Sequence, residues 1–86
     1  MKVAIPSVLQ SYTRGARSVD AYGATLGDLL ADLDMRFPGI RFRMVSEADA
    51  LRPHVRVFVN REAVTDLRCA LSPTDDVVIV QALSGG

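Results

Sequence analysis

The last three residues of this chain, Ser84-Gly85-Gly86, have types and an order that suit a defined chemistry, and they follow directly on an apolar stretch. Glycine has no Cβ and reaches backbone conformations closed to other residues. A diglycine end can therefore thread a narrow channel and bring its terminal carboxylate against a nucleotide phosphate, where bulkier residues would jam. A carboxylate is inert until activated. Adenylation by ATP turns Gly86 into an acyl donor open to attack by a sulfur or amine nucleophile. At average glycine usage two terminal glycines arise by chance in about one chain in 200. A frayed end with no role has the same composition, so the rest of the sequence has to decide between the two readings.

Composition excludes several function classes. Eighty-six residues make one small domain with a single core. Ten basic and ten acidic side chains leave a formal net charge of zero, so no field draws in nucleic acid or an anionic membrane surface. Lys2 is the only lysine, hence the only side-chain amine for chain-building modification. The single cysteine, Cys69, permits no internal disulfide and suits a reducing, cytoplasmic setting. Neither a charged-then-apolar leader nor a run of about 18 apolar residues is present, so secretion and membrane spanning are not expected.

Positioning such a tail falls to the elements before it. Lys2 to Leu9 reads as a β-branched strand in which Pro6, lacking an amide donor, marks a bulge or edge. After a turn at Thr13-Arg14-Gly15, Ala16 to Ala21 completes a hairpin. Thr25 stands where a helix N-cap is wanted, with Asp28 three residues on, and Leu26, Leu29, Leu30, Leu33 and Phe37 form a stripe at helical spacing. Pro38-Gly39 ends that helix. From Ile40 to His54 the signals conflict, because Ile40, Phe42 and Met44 alternate while Ser46-Glu47-Ala48-Asp49 suits a loop or a helical turn. Val55 to Val59 alternates strongly and meets a tight turn at Asn60-Arg61 into Ala63-Val64. A polar turn, Ser72 to Asp76, launches Val77 to Ala82, whose apolar content on both faces suits a central strand. The order predicts an α+β fold, with a helix across one face of a sheet, over residues 1–82 and a flexible tail at 83–86.

The IP-containing opening strand, TLGDLLADL, FPGI, VFVN, DDVVIV and the terminal ALSGG span nearly the whole chain. Together they resemble the MoaD/ThiS-type β-grasp, ubiquitin-like sulfur carriers. The opening VAIPSVLQSYTRGARSV and FPGI look most like the carrier of thiocarboxylate-dependent cysteine biosynthesis. The resemblance implies a mixed four- to five-stranded sheet with one main helix, and a carrier with no catalytic residue and no bound cofactor or metal. It implies that an E1-like adenylyltransferase/sulfurtransferase uses ATP on the Gly86 carboxylate, leaving a covalent 1-thioglycine, with Gly85 and Ser84 as a slender leash. The implied acceptor is a pyridoxal-phosphate cysteine synthase, with a metalloprotease trimming the added cysteine. Two alternatives share the tail: the small subunit of molybdopterin synthase, acting with the large subunit, and a protein modifier joined to lysines. The chain departs from the family at two turns, with Asn60-Arg61 for Asn-Gly and Asp75-Asp76 for Gly-Asp. Both put non-glycine residues at tight turns.

If Val57 and Val59 face the helix, Phe58 must face the other way, together with Val78 and Val80 of the last strand. With Leu83 these residues make the expected partner-binding surface, rimmed by Arg56 and Arg61. Alternatively the 40–54 segment covers Phe58. The lone His54 lacks companions at ligand spacing and makes no metal site. Cys69 reads as a half-buried structural thiol, and Asp28, Asp32 and Asp34 read as solvated helix surface.

Overall fold

The computed structural model describes residues 1–82. The strands are β1 (Lys2–Ala4), β2 (Ser18–Asp20), β3 (Val55–Val59), β4 (Glu62–Val64) and β5 (Asp76–Gln81), with helices α1 (Leu26–Arg36) and α2 (Ile40–Met44). They form a mixed five-stranded sheet in the order β2-β1-β5-β3-β4. β1 runs parallel to β5, and the other pairings are antiparallel. This is the β-grasp arrangement expected, with the last strand at the centre of the sheet.

Alternation sorts the sheet into two faces. Val3, Val57, Val77 and Ile79 point to the helix side and are buried with Leu26, Leu29, Leu30 and Leu33 of α1. The start of α1 is closed twice. The Thr25 hydroxyl accepts from the Asp28 amide at 3.2 Å, as the spacing predicts. The next amides, of Leu26 and Gly27, donate to the carbonyls of Cys69 and Leu67 at 2.9 and 2.8 Å, so the 66–71 loop seats the helix on the sheet. Gly27 suits this close approach, since a Cβ there would lie 3.1 Å from the Leu67 carbonyl oxygen. Gly23 lets the chain before the helix pass its first turn, where a Cβ would lie 2.3 Å from the Leu29 amide nitrogen.

Two expectations need correction, and one segment that the sequence leaves open is defined. The first strand ends at Ala4, and Ser7–Leu9 forms a turn of 3-10 helix, because Pro6 offers no ladder donor and its carbonyl instead accepts from the Leu9 amide. The alternating Ile40, Phe42 and Met44 belong to α2, in which Ile40 and Met44, four residues apart, are buried and Phe42 is exposed. Asp32 and Asp34 are structural ties rather than free solvated groups. Asp32 accepts from the Tyr22 amide and from Arg36, while Asp34 accepts from the Gly39 and Arg41 amides at the start of α2.

The two turns that depart from the family behave differently. Asn60 and Arg61 both take positive φ, 50° and 73°, as a primed hairpin turn demands. Asn tolerates that region, whereas Arg is strained in it. Asp75 carries no such strain and works as a clamp. Its carboxylate accepts from the Ser72 amide at 2.7 Å and from the Asn60 side chain at 2.9 Å, while Asn60 in turn accepts from the Asp76 amide. The Ser72 amide, and after it the Asn60 amide group, hold the Asp75 carboxyl below the usual carboxylate range. Among the described residues no helix is long and apolar enough to cross a membrane.

Arg61→Gly should raise stability by about 1 kcal/mol by relieving the left-handed arginine, read as a higher midpoint in urea; an unchanged or lower midpoint would show the turn to be unstrained. Because the folded-state pKa of Asp75 is depressed, its clamp stabilises the fold above the unfolded value of about 3.9 and is lost as pH falls through the folded value. The acid limb of a stability profile should therefore be shallower in Asp75→Asn than in the parent chain.

Candidate functional site

The strand that leads to the tail is held on both edges. β5 pairs with β1 from Asp76 to Val78 and with β3 from Val77 to Gln81. Just past it, the Ala82 amide donates to the His54 carbonyl at 2.8 Å. The chain thus leaves the sheet beside Val55 and His54. Leu83, Ser84, Gly85 and Gly86, which the sequence singles out, lie outside the described residues.

The other predicted surface residues are brought together by register. Phe58 stands opposite Val78, and Arg56 opposite Val80, across β3 and β5, while Ala4 of β1 pairs with Val78 from the other side. Val78 and Val80 are 39% and 41% exposed, whereas their neighbours Val77 and Ile79 are buried. Phe58 is half-buried and lies in an open hollow of about 640 Å³ with Ala4, Val78, Lys2, Asn60 and Arg61. No residue of the 40–54 segment lines it. Its lining is mainly apolar, and Lys2, Arg61 and Asp76 are its charged members, of both signs. Arg56 is turned elsewhere, with its guanidinium donating to the Pro53 and Val55 carbonyls.

The remaining candidates have structural surroundings. Cys69 is half-buried, with Sγ 3.6 Å from the Ala70 carbonyl oxygen, in the loop that seats α1. Among the described residues no cluster of histidine, cysteine or carboxylate side chains could hold a metal ion. Asp32 is held below its usual range by the Tyr22 amide and then Arg36, and Asp66 by the Arg68 side chain and amide. Neither lines the hollow.

A second hollow, of about 370 Å³, escaped the sequence reading. It lies at the tail end of β5, where Val8, Phe42, Arg43, Arg52, His54 and Gln81 meet. Its signal was present only in the Ile40/Met44 spacing, which on a helix turns Phe42 and Arg43 outward.

Comparisons with known proteins bear on all of this. The model of the ThiS family matches residues 3–86. The chain is 36% identical to the sulfur carrier protein CysO of Mycobacterium tuberculosis over 98% of its own length and 96% of the relative's. Among solved structures it is similar to a chain of the BexX/CysO complex of Amycolatopsis orientalis, with 35% identity, a TM-score of 0.91 and coverage of 99% and 98% of the two chains. It is also similar to the small archaeal modifier protein 1 of Haloferax volcanii, with 28% identity, a TM-score of 0.78 and coverage of 96% and 97%.

The two faces of the sheet should respond differently to charge. Phe58→Asp is expected to remain folded, losing about 1 kcal/mol of apolar burial, whereas Leu30→Asp puts an unpaired charge beneath α1 and should unfold the domain. Thermal melts followed by circular dichroism separate these outcomes, and equal loss of structure in both variants would mean that Phe58 belongs to the core.

Proposed function

The chain belongs to the ThiS family, and on that footing we propose that it is a sulfur-carrier protein whose Gly86 carboxylate is the working group. An E1-like enzyme joins that carboxylate to the α-phosphate of ATP and releases pyrophosphate. A sulfur nucleophile then displaces AMP, and the resulting thiocarboxylate donates its sulfur to an acceptor in cysteine or related sulfur-metabolite biosynthesis. A pyridoxal-phosphate cysteine synthase is the acceptor of choice, because an activated serine derivative held there offers the carbon that a thiocarboxylate sulfur attacks. A metalloprotease would then release the added cysteine. All of this chemistry is supplied by partners, and the chain itself is the co-substrate.

The observation that carries the reading is the placement of β5. A strand paired on both edges delivers the chain to one point at the end of the sheet, beyond which only four residues separate Ala82 from the terminus. At about 3.5 Å per residue these reach some 14 Å, enough to enter an active site while the body of the domain stays outside. Similarity to CysO over nearly the full length supports cysteine biosynthesis as the destination. The open face around Phe58, Val78 and Val80 is the surface for the activating enzyme, and Leu83, outside the described residues, is assigned to it from the sequence alone. A cytoplasmic setting fits the lone thiol. The likeness to an archaeal modifier protein supports a second reading, in which the adenylated tail acylates lysine amines.

Co-expression with the activating enzyme and a sulfur source should yield a carrier whose intact mass reflects one sulfur in place of one oxygen at Gly86. Deleting Gly86 should abolish this while leaving the melting temperature unchanged, since the core closes with Ile79. If the enzyme forms neither adenylate nor thiocarboxylate on this chain while modifying an established carrier in parallel, the proposal fails. Isopeptide-linked products on lysines, without thiocarboxylate, would establish the modifier reading instead.

A further inference from the structure

The second hollow has a charge pattern that the neutral chain as a whole does not share. Arg43, Arg52 and His54 line it, and no carboxylate does, although the sequence has as many acidic as basic residues. It also gathers two of the large exposed apolar side chains, Phe42 at 60% and Val8 at 46% exposure. The fold uses its cations sparingly. Arg41 next door is paired with Asp49 at 3.3 Å, but the Arg43 side chain has no hydrogen bond or ion pair among the described residues. Arg52 donates through Nε to the Phe42 carbonyl at 2.8 Å, and its guanidinium carbon sits 4.8 Å from the centre of the Phe42 ring. That clamp fixes the arginine over the aromatic face without using its terminal nitrogens. A cation held in place loses little further freedom when it pairs, so binding there is favoured.

The location supplies the occupant. His54 both lines this hollow and accepts the Ala82 amide, the last contact of the chain before its terminal four residues. Any enzyme that handles the Gly86 carboxylate is brought within about 14 Å of this point. The hollow with Phe58 lies toward the opposite end of β5, around Asp76 to Val78, so the two are separate surfaces.

We propose that this collar of Arg43 and Arg52 around Val8 and Phe42 docks an acidic segment of the activating enzyme, with an apolar side chain seated between carboxylates. The apolar floor favours a peptide over a bare nucleotide or phosphate, and the paired charges set orientation and encounter rate. This inference rests on the carrier reading given above and adds a second contact to it.

The test measures pyrophosphate release from ATP by the organism's own E1-like enzyme, with the full-length carrier varied in concentration. Arg43→Glu should raise KM for the carrier about tenfold, with kcat at saturation within about twofold. Arg43→Lys should recover most of the loss, and added salt should weaken the parent chain more than the Arg43→Glu variant. Circular dichroism confirms that each variant is folded. A KM for Arg43→Glu matching that of the parent chain, with the parent efficiently adenylated, overturns the docking site and leaves the carrier reading standing. A fall in kcat at unchanged KM would assign the cations to the nucleotide and likewise overturn it. Failure of the parent chain to be adenylated overturns both.

Discussion

The constraint on which this molecule depends is the insertion of its last strand between two others. β5 takes ladder bonds from β1 on one side and β3 on the other, and its inward residues Val77 and Ile79 complete the floor on which α1 rests. The sheet therefore cannot close until the far end of the sequence has joined the near end, a pairing of high sequence separation. The same pairing fixes where the described chain ends, at Ala82 beside His54.

Seating the helix is the second requirement. α1 is held on the sheet by its leucine stripe, while the carbonyls of Leu67 and Cys69 accept its first amides. The loop before β5 thereby closes the helix start that Thr25 opens. Cys69 acts here through its backbone, so a sequence-based view of it as a thiol misses its main contact. Asp32, Asp34 and Asp75 work in a similar way, tying neighbouring backbone amides together at the surface.

Legibility followed locality. α1 could be read because cap, stripe and stop all lie within one stretch, and β3 and β5 because alternation specifies which residues face inward. The same alternation placed Phe58, Val78 and Val80 on one face, while their registration across β3 and β5 needed the structure. α2 could not be read, since five residues give one turn and an i, i+4 pair satisfies both strand and helix patterns. The 3-10 turn after Pro6 was hidden because three residues are too few to show a period. The second hollow is assembled from four separate segments, around Val8, Phe42, Arg52 and Gln81, and no local pattern encodes such a meeting.

Lys2 has a position that bears on the fate of the whole molecule. It is the sole side-chain amine in the chain, and it lies in the wall of the hollow formed by Phe58 and Val78. An acyl group transferred from the tail of one copy to a side-chain amine of another has nowhere else to go. Any adduct on a side chain of this protein would therefore sit in that hollow and fill it, so the one amine the sequence offers is also the one whose acylation would mask the open face of the sheet.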